Sequence, residues 1–226
     1  MAKILVYNND TNQMETYYRG EDESMPYVTN GTLRVGEFRG SSTSPTLWTD
    51  KRTMQAWNSF RYVYGRGIHV GFAFKRPWEG GHTGQSQHYA GTAFDVGQNL
   101  PASERTIMRN KAISSGIWSY VEPASLTPTW VHFDKRQAPP ACSTGGYPLV
   151  REGSRGNYVL ILQDGLNNLG YRTGGLDGMF GPTTANSVRA YQKYKGLGVD
   201  GIVGCNTWTA LMNDIVGRGR TSTTID

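Results

Sequence analysis

Short apolar runs organise the first third of this 226-residue chain. Ile4–Tyr7, Thr16–Tyr18 and Leu33–Phe38 are strand-length and separated by Gly, Asn and Asp, which predicts three β-strands joined by turns. At Thr49–Tyr64 the period changes. Met54, Trp57, Phe60 and Tyr64 recur at three- and four-residue steps, placing an aromatic stripe on one face of a helix. Strand alternation returns at His69–Phe74, followed by the glycine-rich loop Glu79–Gly84 and a strand at Thr92–Val96. Pro101–Ser115 reads as a helix with Pro101 at its start and Gly116 at its end. Trp118–Glu122 and Trp130–Asp134 read as paired strands joined by a Pro-containing loop.

The pattern breaks at Gln137–Gly146, where two prolines, small residues and glycines predict a linker. Beyond it, Asn157–Leu169 is an amphipathic helix with Val159, Leu162, Leu166 and Leu169 on one side. Helices are also expected at Thr183–Tyr194 and Thr207–Met212. This part contains an internal repeat. Asp177-Gly178-Met179-Phe180-Gly181-Pro182-Thr183 is echoed by Asp200-Gly201-Ile202-Val203-Gly204-Cys205-Asn206-Thr207. In each, Asp-Gly suits a tight turn, the apolar pair plugs a core, and Thr is expected to cap the next helix. Two domains follow: residues 1–138, α+β, with 1–40 as an N-terminal β extension, and residues 148–216, all-α with three helices. Residues 139–147 are the expected linker and 217–226 a flexible tail.

Composition narrows the class. Apolar residues are 37% and aromatics 12%, too many aromatics for a disordered chain, and no stretch approaches the length of a membrane span. The +5 charge is spread over both parts, without the basic stripe of a nucleic-acid binder. A monomer is expected. The N-terminus lacks a secretory signal, so a role outside the cell would need release by lysis or another exit route. Cys142 and Cys205 form no zinc-type spacing, and the sequence leaves open whether they pair.

Candidate chemistry gathers around three of the four histidines. In Ser86-Gln87-His88-Tyr89-Ala90-Gly91-Thr92-Ala93-Phe94-Asp95, His88 offers an imidazole and Asp95 a carboxylate, and Gly91 lets the backbone turn between them. In Trp130-Val131-His132-Phe133-Asp134, strand alternation puts His132 and Asp134 on one face. Two imidazoles and a carboxylate are a catalytic zinc pattern, and equally a structural hydrogen-bonded cluster. The spacing Ser86-x-His88-x-x-Gly91-x-Ala93-x-Asp95, then Trp130-x-His132, resembles the motif of M15-type zinc peptidases, which share their fold with the Hedgehog signalling domain. The resemblance spans roughly Thr53 to Arg136. It implies one zinc ion on His88, Asp95 and His132.

It also implies a base, for which many family members have Glu three residues before the last ligand. Thr129 stands there in this chain. Glu122 on the preceding strand is preferred as the substitute, with Asp134 as the alternative base or the partner that orients His132. Arg76 is expected to stabilise the developing oxyanion, Ser86 and His82 to meet substrate or steady their loop, and His69 to be structural. The pattern Leu162-Gln163, Asp177-Gly178-x-Phe180-Gly181, Tyr191-Gln192, Asp200-Gly201-x-Val203-Gly204 and Thr207-Trp208 resembles a type 1 peptidoglycan-binding domain across Leu149–Met212. The joint expectation is a peptidoglycan hydrolase that cuts a stem-peptide amide at the bacterial cell wall. Its rivals are a non-catalytic wall-binding protein with structural zinc, which Thr129 favours, and an amidase acting on the sugar–peptide bond.

Overall fold

The computed structural model describes residues 1–226. Strands β1 (Ala2–Asn8) and β2 (Gln13–Arg19) pair antiparallel, and β3 (Thr46–Asp50) joins β1 in parallel, giving the order β2-β1-β3. The N-terminal β segment is therefore built into the first domain through β3. A second, antiparallel sheet has the order β4 (Val70–Phe72), β5 (Ala93–Val96), β7 (Val131–Asp134), β6 (Tyr120–Val121). Helix α2 (Lys51–Tyr64) packs on β1 and β3, and α3 (Ala102–Ser115) on β6 and β7. The aromatic stripe of α2 becomes core: Trp57 lies 4.7 Å from Phe94, and Phe60 5.0 Å from Phe133, centroid to centroid.

Two expectations shift. Leu33–Phe38 is not a strand. Val35–Arg39 is a short helix, α1, because Val35 and Phe38, three residues apart, are both buried, and the Glu37 carboxylate accepts from the Arg34 N–H at 2.7 Å. The helix expected from Thr49 begins at Lys51, where the Asp50 carboxylate caps the Thr53 N–H at 2.6 Å.

The second part holds α4 (Asn157–Asn168), α5 (Pro182–Tyr194) and α6 (Cys205–Ile215). Each repeat turns on a buried glutamine. The Gln163 amide nitrogen donates to Asp177 Oδ1 (2.7 Å), the Met179 carbonyl and Thr184 Oγ1, while its oxygen accepts from the Gly178 N–H. Gln192 does the same with Asp200 Oδ1 (2.9 Å), the Ile202 carbonyl, Thr207 Oγ1 and the Gly201 N–H. The threonines are thus not the caps expected of Thr183 and Thr207. Gly181 and Gly204 occupy the cap positions, and the hydroxyls of Thr184 and Thr207 serve the glutamines.

Helix α4 is buried on all sides, not along one stripe. Its apolar side faces α5 and α6, and its other side docks on the first domain. There Asn157 donates to the Ala90 carbonyl (3.0 Å), the Tyr158 hydroxyl donates to Gln87 Oε1 (2.9 Å), and Asp164 pairs with Arg76. Buried apolar residues from both parts form one continuous cluster. The stretch expected as a linker is anchored too. Tyr147 is fully buried, with its N–H on Gln85 Oε1 (2.8 Å) and its hydroxyl on the Ser86 carbonyl (2.7 Å). Cys142 and Cys205 form a disulfide that ties this stretch to the start of α6. The segment read as a free tail is bonded as well: the Gly217 and Gly219 N–H groups donate to the Pro77 and Trp78 carbonyls, and Asp226 pairs with Arg76. No helix is long and apolar enough to cross a membrane.

Candidate active site

Strand register brings the site together. Asp95 on β5 sits directly opposite His132 on β7, and Ala93 opposite Asp134. The small Ala93 side chain leaves room for the Asp134 carboxylate. The loop carrying His88 is fixed against β3, where Trp48 Nε1 donates to the Tyr89 carbonyl (2.8 Å) and Thr49 Oγ1 to the Gly91 carbonyl (2.7 Å). Gly91 has φ +67°, and a Cβ there would fall 2.0 Å from the Trp48 carbonyl oxygen, so both the turn and the close approach require glycine.

Hydrogen bonding sets the state of each histidine. His88 Nδ1 lies 3.0 Å from the Ala73 carbonyl, which only accepts, so Nδ1 carries the hydrogen. His88 Nε2 is buried, makes no hydrogen bond, and lies 3.3 Å from Asp95 Oδ2. His132 Nδ1 lies 2.7 Å from Asp95 Oδ1 and its Nε2 3.2 Å from Asp134 Oδ2. Burial alone would lower the pKa of His132, but the hydrogen bonds to Asp134 and Asp95 raise it to about 9. Burial opposes the charge on Asp95, yet the hydrogen bond to His132 and the nearby His88 ring hold the carboxyl well below the usual range. His82 stacks on His88 with centroids 4.2 Å apart, and burial with the neighbouring His88 pushes its pKa down to about 4.

These groups open into a polar cavity of about 450 Å³, within the range of small-molecule sites. His82, Ser86, His88, Asp95, Glu122 and His132 all line it. Glu122 is held beside His132 by its backbone N–H, which donates to the His132 carbonyl at 2.9 Å. Ser86 Oγ accepts from the His88 N–H (3.3 Å), which steadies the loop. Asp134 is fully buried and does not line the cavity. Its oxygens are taken by His132 and by the Arg136 fork, whose Nε lies 2.8 Å from Oδ1. Thr129 is exposed and outside the cavity, and His69 is exposed elsewhere.

Arg76 is not in this site. It is fully buried between the two parts of the chain, its guanidinium bonded to Asp164, Asp226, Ser44 Oγ and the Ile225 carbonyl. The cation of the cavity is Arg136, packed over the Tyr120 ring with its guanidinium carbon 4.0 Å from the centroid. Thr144, Gly145 and Gly146 add a wall from the disulfide-bonded stretch. No motif marked these residues: Thr144–Gly146 reach the cavity through the fold alone, and Arg136 is placed by its fork on Asp134 and its stacking on Tyr120. The donor atoms of His82, His88 and Asp95 lie within 4.8 Å of one another, a grouping that could hold a metal ion, and His132 joins it through Asp95 Oδ1, 2.7 Å from its Nδ1.

Comparison with known proteins bears on the second part. Residues 155–211 match the family described as "Putative peptidoglycan binding domain". This segment is a type 1 peptidoglycan-binding domain, and Gln163 and Gln192 with their Asp-Gly turns lie within it. An uncharacterized protein in the bpoA1 3′ region of Kitasatospora aureofaciens is 40% identical over 77 residues, 32% of this chain and 65% of that protein. The N-acetylmuramoyl-L-alanine amidase CwlM of Mycobacterium tuberculosis is 45% identical over 56 residues, 25% of this chain and 14% of its own length. The chain thus spans just under two thirds of the first relative and a small part of the second. Among solved structures, a peptidoglycan-binding protein from Clostridioides difficile in complex with glutamine hydroxamate is 38% identical over 31% of this chain and 44% of its own, with a TM-score of 0.30. The SleB N-terminal domain is 36% identical over 30% of this chain and 92% of its own, with a TM-score of 0.29.

Proposed function

We propose that the protein is a zinc-dependent peptidoglycan hydrolase that cuts an amide bond of the stem peptide, held on the cell wall by its C-terminal domain. The observation that carries this reading is the buried, unpartnered Nε2 atom of His88 beside Asp95. A buried polar atom without a partner is costly unless something fills the gap, and two imidazoles with a carboxylate form a donor set suited to zinc. His88 would bind through Nε2, Asp95 through a carboxylate oxygen, and His132 through Nδ1 while Asp134 accepts from Nε2–H. Zinc bound there supplies Lewis acidity to the scissile carbonyl and to the attacking water.

The protein's own groups supply the rest. Glu122, in the cavity next to His132, takes the proton from the attacking water and returns it to the leaving amine. Asp134 orients His132 and has no free oxygen for proton transfer. Arg136 takes the role first expected of Arg76 and meets the charge that develops on the carbonyl oxygen. Peptidoglycan as substrate is supported by the matched domain, which shares one core with the cavity.

Digestion of purified peptidoglycan, with fragments identified by mass spectrometry, tests this. Wild type is expected to release stem-peptide fragments. Glu122→Gln is expected to lose about 10²–10⁴-fold in rate with unchanged zinc content. No fragments from wild type would sink the enzyme reading. Whole stem peptides freed from the sugar would replace it with an amidase. Loss confined to Asp134→Asn would move the base there.

A further inference from the structure

The cavity holds one imidazole more than the three-ligand reading uses. We propose that His82 is a fourth protein donor to the metal, so that the resting site is closed by four protein ligands. The inference rests on the zinc reading above and goes beyond it. The donor atoms of His82, His88 and Asp95 all lie within 4.8 Å of one another. Tetrahedral bonds of about 2 Å place donors roughly 3.3 Å apart, so side-chain shifts of up to about 1.5 Å bring His82 to bonding distance.

The His82 ring is placed, not loose. It stacks on His88 at 25° and meets the Phe72 ring at 4.5 Å. Its ring nitrogens have no protein partner, and every hydrogen bond of the residue runs through its backbone. Those bonds form a two-point clamp. The His82 N–H donates to the Tyr89 hydroxyl at 3.1 Å, and that hydroxyl donates to the His82 carbonyl at 2.6 Å. Tyr89 is fully buried and follows His88 directly, so the clamp fixes His82 relative to a metal ligand.

The clamp holds the His82 backbone and no hydrogen bond holds its ring, so the ring can leave by side-chain rotation. Catalytic zinc sites keep a position open, whereas four protein ligands make a structural site. His82 must therefore vacate its position before water and a substrate carbonyl can share the site. His82 thus acts as a gate on the site and takes no part in the proton transfers.

Full-length wild type, His82→Gln, Tyr89→Phe and His88→Ala are compared in two measurements: zinc affinity by chelator competition, and the visible spectrum of the cobalt(II)-loaded protein. A melt in excess chelator checks that each variant is folded. His82→Gln is expected to weaken zinc binding about tenfold or more, and to weaken and shift the cobalt bands as water replaces the imidazole. Tyr89→Phe is expected to fall between the two, since it loosens the clamp without removing the donor. His88→Ala is expected to abolish tight binding. If His82→Gln and Tyr89→Phe match wild type in both readouts while His88→Ala loses zinc, the fourth donor is overturned and the three-ligand site stands. If wild type itself binds no zinc, both readings fall.

Discussion

At the scale of the residue, the site is a set of unequal protonation states imposed by neighbours. The two carboxylates beside His132 favour its protonated form, so a metal bound there would displace a proton. In metal-stripped protein that proton stabilises the fold. The folded pKa of His132 is about 9 against an ordinary 6.5, so its contribution is complete below pH 6.5 and is lost as pH rises through 9. Chemical denaturation of stripped protein from pH 6 to 10 should show that decline, and a flat profile would refute it. Arg76→Ala leaves Asp164 buried without its cation, and should cost about 3–5 kcal/mol in denaturant unfolding. A drop in turnover without loss of stability would instead return Arg76 to the site. His88, Asp95 and His132 were legible because each sits in a short local motif on or beside a strand. Arg76 was not, because the groups that claim it lie 88 and 150 residues away.

At the scale of the element, the repeat of the wall-binding domain was legible as spacing, and its physical centre was not. The Asp-Gly turns stand out in the sequence, whereas Gln163 and Gln192 look like ordinary helix residues until the fold brings each against its turn. Gln163→Ala or Gln192→Ala leaves a buried Asp-Gly N–H and a threonine hydroxyl short of partners. Each should destabilise the protein by about 1–3 kcal/mol, measured by urea unfolding. Equal stability of both variants with wild type would mean that water replaces the amide. Helix α1 was misread for a related reason. Five residues hold too little periodicity to separate a helix from a strand, and the bond from the Arg34 N–H to the Glu37 carboxylate decides the matter. Helix α4 shows the limit in the other direction. Its apolar stripe was visible, but Asn157, Tyr158 and Asp164 are buried only because a second domain covers them.

At the scale of the whole molecule, the two parts form one body. A shared core, the buried Arg76 pairs and the Cys142–Cys205 disulfide fix the C-terminal domain against the cavity in one orientation. Calorimetry should therefore give a single transition with matching calorimetric and van't Hoff enthalpies, and two separate transitions would show independent domains. Cys142→Ser with Cys205→Ser should lower stability by about 2–4 kcal/mol and loosen the cavity wall at Thr144–Gly146. Composition gave no hint of this docking, because the prolines and glycines near residue 140 suit a flexible linker as well as an anchored turn. The central claim is that the His88–Asp95–His132 site cuts peptidoglycan with a bound metal. Its most direct test is the yield of soluble stem-peptide fragments from purified peptidoglycan, using chelator-stripped protein with and without one equivalent of zinc. The account predicts fragments only when zinc is restored. Fragments in equal yield without metal, or none in either case, would contradict it.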